Sequence, residues 1–445
     1  MMNKNKSNQF LDRKSLLAIT SAVVFGMGSQ AVVAQSMSDR VDMLEKELEA
    51  IKAEQEKSNV VTEYKGNRLG FTSEDGEFSF NLNGRLLTDI AWADTDDNSR
   101  ELGQESFFRA ARLAASGTLY RDWQYKFQYD FNDSGASGIK DAYLQYHGFK
   151  PAGNDFVLSI GNQFQPFGLE GLQSPKYTAM MELSGPAQVL GAGARRLGIR
   201  GDLVGDSWGW ALGVAQQVPG TPSPQDDDDE LDFSTKFWFD PVLEKGRLVH
   251  LGASLRQHKT SSASNGFRVR ARPETRVDGF RAVDTGSIGN TNGFVAANVE
   301  AAFTQGPLNL NAEYYWAEYD ELENAGASTG EEPSFTGATV TGLYYLTGES
   351  RPYSHKGGVY GPARPNNPLS RGGSGAWAIS ARFSTLDLTD SGIDGGEMDV
   401  ASLGLNWFPE RRMRFTLEGG VASVDGGPND GSDPTYVQAR TQFEW

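Results

Sequence analysis

Residues 77–92 read EFSFNLNGRLLTDIAW. The even positions are Phe78, Phe80, Leu82, Gly84, Leu86, Thr88, Ile90 and Trp92, while the odd ones include Ser79, Asn81, Asn83, Arg85 and Asp89. Successive strand side chains point to opposite faces. The stretch is therefore a strand with one oily face, aromatic at both ends, and one polar face. Residues 123–131, WQYKFQYDF, repeat the pattern: Trp123, Tyr125, Phe127, Tyr129 and Phe131 alternate with Gln124, Lys126, Gln128 and Asp130. A soluble sandwich also alternates, but it rarely sets aromatics at five consecutive outward positions.

Working outward from this stretch, period-two alternation recurs in about sixteen segments. They lie near 77–92, 106–119, 121–132, 139–149, 155–164, 195–204, 207–216 and 231–239, then near 247–257, 293–303, 308–319, 335–347, 375–386, 397–408, 411–424 and 435–445. An even strand number lets both termini of a closed bacterial barrel lie on the periplasmic side. Connection lengths alternate as such a barrel requires. Short ones fall at Tyr120–Arg121, Gly205–Asp206, Gln305 to Pro307 and Pro409–Glu410, and long ones at 165–194, 217–230, 258–292 and 320–334. The connection 348–374 is long on the side of the short turns. The last ten residues, YVQARTQFEW, put Val437, Ala439, Thr441, Phe443 and Trp445 on one face. An amphipathic strand ending in an aromatic looks like the sorting signal of outer-membrane proteins.

The bulk properties agree. A basic start (Lys4, Lys6, Arg13, Lys14), an apolar run from Leu16 to Met27 and small residues up to Ala34 predict a signal peptide over 1–34. It carries four basic residues and one acid (Asp12), so its removal takes the net charge from -17 to -20. Cysteine is absent, which excludes disulfides and thiolate metal sites. After the signal no apolar run approaches the ~18 residues of a spanning helix. Hydrophobic residues make up 38% and aromatics 11%, middling values that suit a barrel better than a disordered chain. The expected fold is thus all-β: a transmembrane antiparallel β-barrel over 77–445, after a linker at 59–76 and a short N-terminal coiled-coil helix at 35–58. In that helix Met37, Val41, Leu44, Leu48 and Ile51 recur at spacings of 4, 3, 4 and 3, a seam for several copies of the chain. The alternative is one amphipathic helix packed on its own protein.

Charge is distributed unevenly. In GFRVRARPETR (266–276) arginines stand at 268, 270, 272 and 276. If the segment is extended, Arg268, Arg270 and Arg272 share one face at intervals of about 7 Å, within a Debye length of about 8 Å. From Arg247 to Arg281 eight basic residues meet two acids, a local +6. Such a ladder suits a narrow anion pore, where arginine forks replace lost hydration and several comparable sites hand the ion on. The alternative is a solvated loop whose arginines pair with neighbouring acids.

Other signals are weak. DDDDE (226–230) and DGGPNDGSD (425–433) lack the spaced ligands of a calcium loop and read as solvated loops, or as places for divalent ions that bridge lipopolysaccharide. The four histidines, at 147, 250, 258 and 355, form no metal-ligand pair. GAGARRLG (191–198) lacks the lysine–serine ending of a P-loop, and no nucleic-acid module appears. No metal, no cofactor and no enzymatic activity are expected. A barrel lipase would need a lipid-facing serine and histidine, whereas His147 and His250 have lumen parity.

Several strings resemble the phosphate-selective porins O and P: YRDWQYKFQYDF, IKDAYLQY, IGNQFQPFGLEGLQSPKYTAMME, FRVRARPE, and LTGESRPY followed by GAWAISARFS. The resemblance runs from about Glu77 to the C-terminus. It implies a homotrimer of sixteen-stranded barrels in the bacterial outer membrane, among lipid and lipopolysaccharide. Narrow basic pores would pass phosphate, pyrophosphate or polyphosphate. The alternatives are a broader anion porin with weak phosphate preference and a structural protein tethered through its coiled coil. The resemblance further implies that a long periplasmic turn folds inward, here 348–374 with Arg351, Lys356, Arg364 and Arg371. It makes Arg268, Arg270 and Arg272 pore rungs, with Arg276 a further rung only if the chain stays extended past Pro273, and it makes Lys176 in SPKY the loop lysine, Asp141 in KDAY a pore acid and Arg85 the first-strand pore arginine. On the second strand the family places two adjacent arginines after an aromatic. Here Phe108–Arg109 is followed by Ala110, so one of the two cations is missing.

Overall fold

The structure is a computed structural model. It describes residues 41–50, 60–61, 69–96, 101–190, 195–216, 231–259, 267–288, 291, 293–320, 323–324, 327–328 and 330–445. The expected signal peptide and the DDDDE run lie outside the described residues. The chain divides into two units, 1–59 and 60–445. In the first, residues 41–50 are helical and exposed, including Val41, Leu44 and Leu48.

In the second unit sixteen strands close into one antiparallel barrel. They are β1 (Ser79–Asp94), β2 (Gly103–Leu119), β3 (Trp123–Asp130), β4 (Ile139–Tyr146), β5 (Asp155–Phe164), β6 (Arg195–Val204), β7 (Trp208–Ala215) and β8 (Leu231–Glu244). The second half comprises β9 (Arg247–Lys259), β10 (Gly293–Gln305), β11 (Leu308–Tyr319), β12 (Ser334–Tyr345), β13 (Ala376–Asp390), β14 (Ile393–Glu410), β15 (Met413–Asp425) and β16 (Thr435–Glu444). Each strand pairs with the next, and β16 pairs back onto β1 from Thr435 opposite Asp94 to Glu444 opposite Arg85. Closure leaves no edge with unpaired backbone groups, which a bilayer would not tolerate. In the segment expected as a linker, Leu69–Ser73 forms a short strand that pairs with the start of β1.

The opening stretch shows how sequence becomes wall. Leu86, Ile90 and Trp92 are exposed on the outer face, while Arg85, Leu87, Asp89, Ala91 and Ala93 are buried inside. Gly84 belongs to the oily face but carries no side chain, for a spatial reason. A Cβ there would meet the Trp445 indole at 1.9 Å, and the backbones of the two residues exchange hydrogen bonds of 3.1 and 3.2 Å. The terminal aromatic thus seats over the glycine of the first strand.

Three strands run four or more residues past their expected ends, each for a local reason. β8 continues through Pro241 to Glu244 across a bulge between Phe239 and Val242. The proline has no N–H for the ladder, and a bulge is one of the few places that accepts it. A bulge between Asp387 and Thr389 breaks the alternation of β13, and β14 starts as early as Ile393. These two are joined by a tight turn at Ser391–Gly392, both with positive φ.

Much of the lumen is filled. Residues 165–190 fold inward and bury Phe167, Ala187 and Leu190 against Val269, Ala271, Val277, Phe280 and Ile288 of the segment 267–288, part of the connection 260–292. Both pack on wall residues Tyr315, Phe335, Leu386, Val400 and Tyr436. Burying a side chain such as Phe167 contributes about 1.5–3 kcal/mol, so these contacts fix the loops as part of the core. Within the first loop the helix Gly185–Val189 is capped by Ser184 and carries Pro186 in its first turn, both favoured at a helix N-terminus. Its Pro186 lies so close to Gly337 that a Cβ on the glycine would approach within 2.7 Å.

The long connection after β12 is drawn into the lumen too. Arg351 donates to Asn309 Oδ1 at 2.7 Å and to the Tyr177 carbonyl at 2.8 Å. Gln173 and the backbone of Tyr360 exchange two hydrogen bonds, of 2.7 and 2.9 Å. At its start Tyr353 and His355 reach buried Asp240 on β8. Asp240 also bonds His250, whose other ring nitrogen meets Glu300 at 2.9 Å. His250 faces the lumen in a structural network.

Candidate functional site

The loops leave open space along the wall made by β2 to β6. Two cavities lie there. The larger, about 740 Å³, is lined by seven lysines and arginines, among them Arg85, Lys126, Lys176, Arg195 and Lys356, and by three acids, Asp141, Asp155 and Asp202. The smaller, about 400 Å³, is lined by Arg109, Arg112, Lys140, Arg272 and Arg276 with Glu105, Asp130 and Asp133. In a chain of net charge -17, cations thus outnumber acids around both cavities, where low-dielectric walls strengthen their field.

A cluster of arginines, the waist, links the lining of the larger cavity to that of the smaller. Arg85 on β1 is the register partner of Arg112 on β2, and both are buried. Arg85 donates to Ser174 Oγ at 3.3 Å, and its Nε has no hydrogen-bond partner in the structure. Arg112 pairs with Asp130 at 2.6 Å. Asp141, on the inner face of β4, binds Lys126 at 2.5 Å and Arg195 at 2.6 Å. Arg195 stacks over the Phe164 ring, 3.9 Å from its centroid. Lys176, at the tip of the inward loop, pairs with Glu444 of the last strand, and burial lowers its pKa despite that partner.

Arg109 reaches the interior by a break in register. Strict alternation would send it outward with its neighbours, but Leu87 pairs with Ala110 and Thr88 with Phe108, so Arg109 is the extra residue of a bulge. Bulges re-aim side chains. Its guanidinium forks onto Glu182 of the inward loop, Nε to Oε1 at 2.5 Å and Nη2 to Oε2 at 3.1 Å.

Residues 267–272 alternate in burial: Val269 and Ala271 pack into the core, and Arg268, Arg270 and Arg272 lie on the other face. These arginines differ in their pairing. Arg268 forks onto Asp284 at 2.7 and 2.6 Å. Arg270 is exposed. Arg272 lines the smaller cavity with an unpartnered Nε, and burial, then Arg276 and Arg281, push its pKa down to about 10. After Pro273 the chain bends at Glu274, whose φ is 61°, so Arg276 leaves the extended line and joins Glu182 at 2.9 Å. Glu274 is held by Arg382 at 2.9 Å and Ser384 at 2.7 Å; burial raises its pKa against the pull of Arg382.

Three residues escaped sequence reasoning. Arg112 shares the inner face of β2 with Ala110, two residues away, and supplies a second cation on that strand. Its signal was present as simple alternation from Ala110. Arg195 and Glu182 belong to loop and loop-edge positions whose direction no periodicity gives. Among the described residues no group of His, Asp and Glu is arranged to hold a metal ion.

Comparison with known proteins agrees with this architecture. Residues 80–445 match the family described as phosphate-selective porin O and P. The chain is 24% identical to Porin O of Pseudomonas aeruginosa over 457 residues, covering 95% of this chain and 96% of that protein. It is 29% identical to an uncharacterized protein of Caulobacter vibrioides over 367 residues, 80% of this chain and 70% of that one. Among solved structures, the outer membrane channel DcaP of Acinetobacter baumannii superposes with a TM-score of 0.53 at 13% identity, over 84% of this chain and 99% of that one. The anion-selective porin from Comamonas acidovorans gives 0.51 at 12% identity, over 83% and 100%. At such identities these two likenesses concern the fold.

Proposed function

The chain belongs to the phosphate-selective porin O and P family, and from that premise we propose that this outer-membrane porin is a homotrimeric channel passing phosphate or related anions by passive diffusion. The observation that carries the reading is the waist, where Arg85 and Arg112 face each other from adjacent strands and Arg109, Arg195, Lys126 and Lys176 stand on or near the same wall. Cations outnumber acids seven to three in one cavity and five to three in the other. An oxyanion entering from the outer loops meets Arg270 and Arg272, then the waist, then Lys126 and Lys356 on the periplasmic side. Arginine offers a planar fork matched to phosphate oxygens, and lysine a compact charge that releases more readily. Asp141, between Lys126 and Arg195, lowers the depth of any single site, and shallow sites favour throughput. The pore works as a channel without catalysis.

A broader anion porin with weak phosphate preference is favoured by one observation, the pairing of Arg109, Arg112, Arg268 and Arg276 with internal carboxylates. The exposed seam at Val41, Leu44 and Leu48 fits a coiled coil joining the three copies, with or without a tether to the cell wall. Chloride conductance at graded phosphate concentrations separates the two channel readings. Saturable block by phosphate supports a phosphate site, and conductance additive in both anions supports the broader pore.

A further inference from the structure

Cations from three separate elements converge on Glu182. Oε1 accepts from Arg109 Nε at 2.5 Å and from Arg440 Nη2 at 2.7 Å, and Oε2 accepts from Arg276 Nε at 2.9 Å and Arg109 Nη2 at 3.1 Å. One arginine comes from β2, one from β16 and one from the connection 260–292. Forks closing from several sides on one oxyanion are the arrangement a phosphate draws around itself. We propose that Glu182 is a resident counter-anion that occupies the arginine site beside the smaller cavity and thereby sets the channel's preference among permeant oxyanions. The proposal rests on the anion-channel reading above.

The pairing around the smaller cavity supports it. Arg109 and Arg276 are committed to Glu182, Arg112 to Asp130 and Lys140 to Asp133, while Arg272 keeps a buried, unpartnered Nε. A passing anion therefore finds one poorly satisfied fork among cations already engaged. It must compete with a tethered carboxylate for the others. Burial disfavours the ionised carboxylate, but Arg109, Arg276 and Arg440 together hold its pKa well below the usual range, so the resident charge persists at every physiological pH.

The loop does not depend on that carboxylate for its position. The Met181 N–H donates to Glu418 at 2.7 Å, the Glu182 carbonyl accepts from Arg382 at 2.8 Å, and Ser184 Oγ donates to Glu170 at 2.6 Å. Neutralising Glu182 thus frees arginine forks within a loop that stays in place.

The test uses the full-length trimer in planar bilayers, with inorganic phosphate titrated against chloride current. Glu182→Gln is expected to lower the half-blocking phosphate concentration at least about tenfold, the effect of one released charge-assisted hydrogen-bond set, and Glu182→Ala to do the same. Glu182→Asp, which keeps the charge on a shorter side chain, is expected to shift the block less than Glu182→Gln does. An unchanged block in Glu182→Gln, in a channel whose unmodified form selects anions, overturns the proposal alone. An unmodified channel that selects cations overturns the porin reading and the proposal with it. Loss of the folded barrel in both neutral variants makes Glu182 a structural strut and also overturns it.

Discussion

Arg85 and Arg112 lie directly opposite each other on adjacent strands, both buried in the barrel interior. Like charges facing across a ladder are destabilising, and here the cost is offset for Arg112 by Asp130, and for Arg85 by the nearby charges of Asp141 and Glu444 and a 3.3 Å contact with Ser174. Arg85 still keeps a buried Nε without a hydrogen-bond partner. Arg85→Ala is predicted to lower the ratio of anion to cation permeability several-fold while leaving the barrel as stable or more so. Reversal potentials together with the temperature of barrel unfolding check both halves; a destabilised variant with unchanged selectivity would show that Arg85 is a wall support.

The arginines of 268–276 are predicted to contribute unequally. Arg270→Ala and Arg272→Ala should each reduce anion selectivity without loss of the trimer. Arg268→Ala should change it little, because Asp284 already neutralises that guanidinium and the arginine side chain is half exposed. Bilayer recordings of the three variants, with trimers followed by unheated gel electrophoresis, check the ranking.

Alkaline pH should act through Arg272. Its pKa is depressed to about 10, so the group is charged below that pH and loses its proton as pH rises through it. Anion selectivity is therefore predicted to fall between about pH 9 and 11. The stability sign is opposite: a buried cation with a depressed pKa is a cost fully present below pH 10 and relieved above it. Selectivity measured at pH 7, 9 and 11 in unmodified protein and in Arg272→Gln checks this, the variant showing the smaller fall.

Glu274 anchors the bend after Pro273 that turns Arg276 off the line of Arg268, Arg270 and Arg272. Its left-handed backbone is held by the buried pair with Arg382. Glu274→Ala leaves Arg382 buried with Glu170 as its remaining salt-bridge carboxylate beside the Glu182 carbonyl, a loss of about 3–5 kcal/mol for a broken buried pair. The prediction is a lowered unfolding temperature and a noisier channel, from calorimetry and single-channel records.

How far the sequence carried can be seen in single residues. Wall residues such as Ile90 and Asp89 were legible because a strand has a strict period and a bilayer enforces it. Gly84 was legible as a gap but not as the seat of Trp445, since the contact joins the two ends of the chain. Arg109 was found, yet its inward direction depends on a bulge that alternation conceals. Glu182 stayed hidden because its role is created by arginines 73, 94 and 258 positions away, and no local pattern encodes that convergence.

The most direct measurement is the zero-current potential of the unmodified porin across a potassium chloride gradient at neutral pH. A cationic waist predicts a potential of the sign given by chloride permeating faster than potassium. It also predicts that submillimolar to millimolar phosphate reduces the chloride current. A potential of the opposite sign, or none, would contradict the central reading that the gathered arginines line the conducting path.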